Sequence, residues 1–204
     1  MITVHYLNAS RAHRVLWLLE ELGLPYEVVT YQRDAQTRLA PAELKKVSPL
    51  GKSPVIVDDG RTLIESAAIL DYIIRRHGGG RLQPDPATPA YDDYQQWLHF
   101  AEGSAMLPLL LRLYTIRLGD AVAPLSPRIE SEIANHLGYI DRHLEGRDYL
   151  LGDLFTAADI MLYDVSALAK RFERLAPYAN FAAWQERVQQ RPAFRAAVAR
   201  GDAR

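Results

Sequence analysis

Asn8, Ser10, Arg11 and Arg14 stand where an apolar run gives way to a helical pattern. A helix N-terminus offers unpaired N–H groups and a partial positive charge. A serine hydroxyl there can donate to an anion and help depress the pKa of a bound thiol. Serine is also a preferred N-cap, and alone that plainer role is favoured for Ser10. Lys52-Ser53-Pro54 opens the apolar run Val55-Ile56-Val57. A cis bond before Pro54 would turn the Ser53 backbone N–H and C=O outward, toward a ligand. Alone, an ordinary trans proline is favoured, because only about one X-Pro bond in twenty is cis. Glu65-Ser66 begins a third helical pattern directly after an apolar segment. The Ser66 N–H and hydroxyl suit a carboxylate at the positive helix end, and Glu65 suits an ammonium beside it. Together they fit an amino acid zwitterion. A plain cap with a dipole-favoured acid fits them equally well.

Other candidates carry less chemistry. In "FTAAD" (155–159), Thr156 and Asp159 form a capping-box variant, with Phe155 and Ile160 placed as a hydrophobic staple. That pattern starts a helix. His5, His77, His99, His136 and His143 lack metal-ligand spacing, and His13 reads as a packing or solvent-facing residue. Tyr6, Tyr72 and Tyr114 read as core or cleft aromatics. Phosphate-binding and nucleophile-elbow glycine motifs are missing.

The elements that must position these residues follow from periodicity. "ITVHYL" (2–7) suits a strand, 10–23 a helix that Gly23 can end, and "YEVVTY" (26–31) a second strand. Short loops between them make a parallel, right-handed βαβ unit. A polar stretch, 32–49, holds a short helix at 41–47. Residues 54–64 form a hairpin turning at Asp59-Gly60, and 65–80 a helix with a triple-glycine stop. The proline-rich segment beyond marks a boundary. After it every pattern is helical: 90–119, with a kink expected at Pro108, then 126–146, the mostly apolar 156–172, 179–190 and 192–200. The fold class is therefore α/β plus all-α. The expected domains are 1–80, a linker at 81–89, and an all-helical domain at 90–204.

The totals bound the function. The 204 residues carry a formal net charge of −1, with 49% hydrophobic and 24% charged residues, so no global field argues for nucleic acid or an anionic membrane. The longest apolar stretch, Met106 to Leu111, is too short to span a bilayer and contains Pro108. The chain starts directly with a strand, so no signal peptide is expected. The absence of cysteine excludes disulfides, thiolate metal sites and a cysteine nucleophile, and permits a cytoplasmic location.

In their order along the chain, "SPLGKSPVI", "TLIESAAILDYI" and "TAAD" resemble the cytosolic glutathione transferases over nearly the whole sequence. The resemblance implies a thioredoxin-like βαβαββα domain that binds glutathione across residues 1–80, and a helical domain that offers a hydrophobic acceptor site. It implies that Ser10, matching the serine of the theta- and delta-like branches, donates to the glutathione sulfur, with Asn8 and Arg11 as alternates. Arg14, four residues on, also matches that pattern. By the same resemblance Lys52 approaches the glycyl carboxylate, Ser53 pairs its backbone with the cysteinyl segment beside a cis Pro54, and Glu65 and Ser66 hold the γ-glutamyl end. The beta-like cysteine and the zeta-like Ser-Ser-x-Cys pattern are both absent.

The expected activity is conjugation of the glutathione thiolate to hydrophobic electrophiles, or reduction of a peroxide, with glutathione as co-substrate and no metal. Met106, Leu107, Leu110 and Tyr114 are the acceptor-site candidates. A homodimer is expected, with Glu102 and Ser104 reaching glutathione across it; nucleic acid and membranes are not expected partners. The rival readings are a non-enzymatic regulatory or binding protein on the same fold, and a glutathione-dependent isomerase or dehalogenase.

Overall fold

In the computed structural model, which describes residues 1–202, the apolar run Ile2–Leu7 becomes β1 and buries every residue but Thr3. In chain order there follow α1 (Ala12–Leu22), β2 (Tyr26–Tyr31), α2 (Ala42–Val47), β3 (Val55–Asp58), β4 (Arg61–Ile64) and α3 (Ser66–Arg76). The sheet order is β2-β1-β3-β4, with β1 parallel to β2, and β3 antiparallel to both β1 and β4. This is the expected thioredoxin-like βαβαββα arrangement. The β3–β4 turn places Asp59 at φ 48° and Gly60 at φ 77°. Two consecutive left-handed residues match the right-handed twist of the flanking strands.

The expected stripe of α1, Val15, Leu18, Leu19 and Leu22, is buried, but so are Arg14, Leu16 and Trp17. The reason is a further helix, α9 (Pro192–Asp202), which packs on α1. Phe194 meets the Trp17 ring edge-on at 5.0 Å, and Arg191 clamps Glu21 with two bonds of 2.5 and 2.8 Å. Gly201 leaves room for Tyr6, whose hydroxyl would lie 2.5 Å from any Cβ at that position. Met1–Leu82 and the segment from Gln189 onward accordingly form one compact unit, and Gln83–Val188 the other. The sequence reading counts α9 with the helical domain.

One buried polar cluster ties the far end of the hairpin to α3. Asp58 is 2% exposed; its Oδ2 accepts from the Tyr72 hydroxyl at 3.0 Å and from His77 Nε2 at 2.6 Å. Burial pushes the Asp58 carboxyl up, but the bonds from His77 and Tyr72 outweigh it and hold the carboxyl below its ordinary 3.8. Below pH 3.8 the unfolded chain therefore binds the proton that folded Asp58 refuses. The carboxylate's contribution to stability is complete above that pH and is lost as pH falls through the folded value. Asp58→Asn should flatten the fall of the thermal midpoint as pH drops below 3.8. An unchanged slope would show that the cluster does not couple folding to acid.

The second unit is helical: α4 (Pro89–Phe100), α5 (Met106–Thr115), α6 (Ser126–His143), α7 (Ala157–Arg171) and α8 (Ala179–Gln189), whose last residue lies in the first unit. The single long helix expected at 90–119 is corrected here. Its α-helical pattern gives way at Ala101–Ala105 to a π segment, where the Met106 N–H reaches the Ala101 carbonyl. Pro108 cannot donate to the carbonyl four residues back, and its ring crowds that carbonyl. The irregularity therefore sits a turn ahead of the proline, not at it. Beyond Thr115 the chain tightens into a 3-10 segment, Ile116–Val122, interrupted at Gly119.

As expected from its composition, α7 is central, with Ile160, Met161, Leu162 and Val165 all buried. Its N-terminus carries the capping box of Thr156 and Asp159. Asp159 is fully buried, and its carboxylate accepts from the Leu150 N–H (3.0 Å), the Thr156 N–H (2.9 Å) and hydroxyl (3.2 Å), and Trp184 Nε1 (3.0 Å). Burial pushes this carboxyl up, against donors that favour its charge.

Candidate functional site

The sheet register brings the dispersed sequence candidates of the first unit to one end. His5 pairs with Val55 across β1 and β3, so Leu7 falls opposite Ser53. Val55 pairs with Ile64 across β3 and β4, so Pro54 falls opposite Glu65. The end of β1, the mouth of β3 and the end of β4 thus coincide. Two helices, α1 and α3, begin at that edge, and both present first-turn N–H groups with their partial positive charge.

At this edge two hydroxyls meet. Ser10 Oγ donates to Ser53 Oγ at 3.3 Å and accepts the Ala12 N–H at 3.2 Å. Ser53 Oγ in turn donates to the His5 carbonyl at 2.8 Å and accepts the Leu7 N–H at 3.2 Å. The side chain of Ser53 thereby stitches the mouth of β3 to β1. Arg11, not Ser10, occupies the N-cap position of α1, while Ser10 supplies the acceptor for its first N–H. Ser10 and Arg11 are both half-buried at this turn.

The peptide between Ser53 and Pro54 is cis, and Pro54 is buried. Gly51 precedes it at φ 59°, where a side chain would press within 3.0 Å of Lys45. Lys52 is exposed beside it. Glu65 has φ 73° and ψ 116°, a conformation costly to a residue with a Cβ, and its carbonyl takes the Ile69 N–H at 2.9 Å. Its side chain is exposed, whereas Ser66, the first residue of α3, is buried.

The third member of the opening cluster, Asn8, is held differently. Its Oδ1 accepts the Arg33 N–H at 2.7 Å and its carbonyl accepts Arg33 Nε at 3.0 Å. Sequence reasoning missed Arg33 because it lies in the polar stretch 32–49, which has no periodicity to assign it a direction. Tyr6 sits against Gly201, so the tyrosine of β1 is turned to α9. His5, on the alternate face of the strand, pairs its Nδ1 with the Tyr31 hydroxyl at 2.8 Å, and burial holds its imidazole below the ordinary range.

The remaining candidates belong to the helical unit. Met106 is only 2% exposed and packs in that unit's core, whereas Leu107 is 55% and Tyr114 71% exposed. With Leu111 they form an apolar stripe at spacings of four and three along α5. Leu110 is half-buried. Glu102 and Ser104 are half-buried in the π segment. Among the described residues no cluster of three or more His, Asp or Glu is arranged to hold a metal ion, and no helix is long and apolar enough to cross a membrane.

Comparison with known proteins accords with this architecture. Residues 1–75 match the model of the glutathione S-transferase N-terminal domain, and residues 123–199 that of the C-terminal domain. Glutathione S-transferase 3 of Schizosaccharomyces pombe is 37% identical over 97% of this chain and 87% of its own length. A crystal structure of a glutathione S-transferase from Actinobacillus pleuropneumoniae is 34% identical, superposes with a TM-score of 0.90, and is matched over 99% of this chain and 93% of that one. A glutathione transferase family member from Pseudomonas fluorescens, solved with two glutathiones bound, is 27% identical with a TM-score of 0.83, over 97% of this chain and 92% of that one. A thioredoxin-like unit joined to a helical one defines the class, and the chain belongs to the glutathione S-transferase family.

Proposed function

We propose that the chain is a serine-type glutathione transferase, close to the theta- and delta-like branches, in which Ser10 donates a hydrogen bond to the glutathione sulfur. The Ser10–Ser53 hydroxyl pair, next to a cis proline at a helix N-terminus, carries this reading. On swinging from Ser53 to a bound sulfur, the Ser10 hydroxyl would stabilise the thiolate together with the N-terminus of α1. Lowering a thiol pKa by two units asks roughly 2.7 kcal/mol of the site. One charge-assisted hydrogen bond and one helix end together supply that order of energy.

In the proposed complex the Ser53 backbone pairs with the cysteinyl segment beside Pro54, Lys52 faces the glycyl carboxylate, and Glu65 and Ser66 hold the γ-glutamyl group. The thiol proton leaves to solvent. The sulfur pair then forms a C–S bond to an electrophilic carbon as the leaving group departs, or attacks a peroxide oxygen. The latter breaks the O–O bond, releases an alcohol and leaves glutathione sulfenic acid, which a second glutathione converts to the disulfide and water. The domain roles follow the same reading, save that α9 belongs with the first unit: residues 1–80 bind glutathione, 81–89 link, and the helical unit that follows contributes the acceptor surface. Leu107, Leu110 and Tyr114 contribute side chains to that surface, and Met106 supports it from beneath. Glu102 and Ser104 are assigned to contacts across a homodimer acting in the cytoplasm.

Two measurements on the purified chain test this. Calorimetric titration with glutathione should show saturable binding at millimolar concentration or below. An aromatic chloride bearing nitro groups should yield a glutathione conjugate and free chloride. Absence of glutathione binding would leave a non-enzymatic protein on this fold. Binding without conjugate, but with dehalogenated or isomerised product, would move the activity to the alternative chemistry.

A further inference from the structure

We infer that Arg33 is a positioning residue of the thiol site, holding the turn that carries Ser10. Two carbonyls of that turn, those of Asn8 and Ala9, are engaged by one guanidinium. Arg33 Nε donates to the Asn8 carbonyl at 3.0 Å, and Nη2 to the Ala9 carbonyl at 3.3 Å. The Arg33 backbone N–H adds a bond to Asn8 Oδ1 at 2.7 Å, and the Asn8 N–H continues the strand pairing to the Tyr31 carbonyl at 3.0 Å. Ala9 has φ 49°. A residue with a Cβ stays in that region only where its surroundings enforce it. Arg33 supplies that enforcement one residue before Ser10.

The other side of the guanidinium is anchored too. Nη1 donates to the Arg38 carbonyl at 3.0 Å. That carbonyl belongs to a loop closed on itself: Asp34 Oδ1 accepts the N–H groups of Gln36 and Thr37 at 3.1 and 2.7 Å, and the Asp34 N–H reaches the Leu39 carbonyl at 3.0 Å. Arg33 therefore braces the Ser10 turn against a preorganised loop.

Two consequences follow for a bound thiol. The turn keeps the Ser10 hydroxyl at the α1 N-terminus, and the guanidinium neutralises carbonyl dipoles that would otherwise repel a thiolate. Both act in the same direction, toward a lower thiol pKa. Only a planar fork can serve several carbonyls in fixed directions; a lysine ammonium is a point charge on a flexible stem.

This inference rests on the proposed thiol chemistry, and one series separates the two. The ultraviolet absorbance of the thiolate is followed against pH for glutathione bound to the wild type, Arg33→Met and Arg33→Lys, alongside kcat, KM and thermal midpoint. In Arg33→Met the bound thiol should ionise about one pH unit higher, and kcat at neutral pH should fall about tenfold. The glutathione KM should stay within about twofold. Arg33→Lys should fall between Met and wild type. If the wild type gives no thiolate signal, the proposed function fails and this role with it. If the wild type gives the signal and Arg33→Met ionises at the same pH, losing only thermal stability, Arg33 is a loop staple and the inference is overturned. Should the Met variant not fold, the Lys variant decides: a wild-type ionisation profile overturns the inference, a raised one supports it.

Discussion

Ser10→Ala is expected to lower conjugation turnover roughly 10- to 100-fold, the kinetic equivalent of one hydrogen bond to a charged sulfur. The glutathione KM should hardly move, because the peptide contacts assigned to Lys52, Ser53, Glu65 and Ser66 do not involve this hydroxyl. The variant also loses the acceptor for the Ala12 N–H and the bond to Ser53, so its stability should drop by about 1 kcal/mol. These effects are separable: the first appears in kcat at saturating glutathione, the second in the melting curve. Ser10→Thr keeps the hydroxyl and should retain most of the turnover. If Ser10→Ala turns over like the wild type, Ser10 is a cap and the thiol is activated from elsewhere in the turn. Asn8, whose Oδ1 is held by the Arg33 N–H, and Arg11 are then the residues to replace next.

The largest loss of stability is expected from Asp159→Ala in the helical unit. The substitution strands the N–H groups of Leu150 and Thr156, the Thr156 hydroxyl and the Trp184 indole N–H. Asp159, Thr156 and Trp184 are all fully buried and Leu150 is 1% exposed, so water cannot substitute without opening the core. Removing the acceptor of such a network costs about 3–5 kcal/mol. For a chain of this size that lowers the thermal midpoint by roughly 6–20 °C. Asp159→Asn keeps the shape and one acceptor oxygen, and should fall between the two. Differential scanning calorimetry measures both. A midpoint within about 2 °C of the wild type for Asp159→Ala would mean the network contributes no more than an ordinary surface cap.

Much of the order of elements was legible because each has a short-range signal. The boundaries of β1 and β2 coincide with the strand patterns read at 2–7 and 26–31, and Gly23 ends α1 in the left-handed conformation. The capping box at Thr156 and Asp159 is likewise local, since both halves lie within one turn. Where the signal was local but its consequence was not, the reading slipped. Pro108 is visible in the sequence, yet its effect appears upstream as a π segment, because the carbonyl that loses its donor and meets the ring belongs to the previous turn. Asp159 was legible as a cap residue, but its bonds to Leu150 and Trp184 come from segments with no sequence mark of the partnership.

The same division runs through the site. By itself the sequence determined which groups are available: a serine at the first helix, a proline at the mouth of β3, an acid and a serine at the third helix, and no cysteine. It could not determine that Ser53 reaches Ser10 with its side chain, because two residues 43 positions apart meet only through the β1–β3 register. Nor could it reveal Arg33, whose partners Asn8 and Ala9 lie more than twenty residues earlier, or that the helix read at 192–200 packs on α1, with Phe194 closing over Trp17. Helix caps, turns and strand periodicity are decided within a few residues and can be read directly. Hydrogen bonds between distant loops depend on sheet register and packing, and those exist only once the chain has folded.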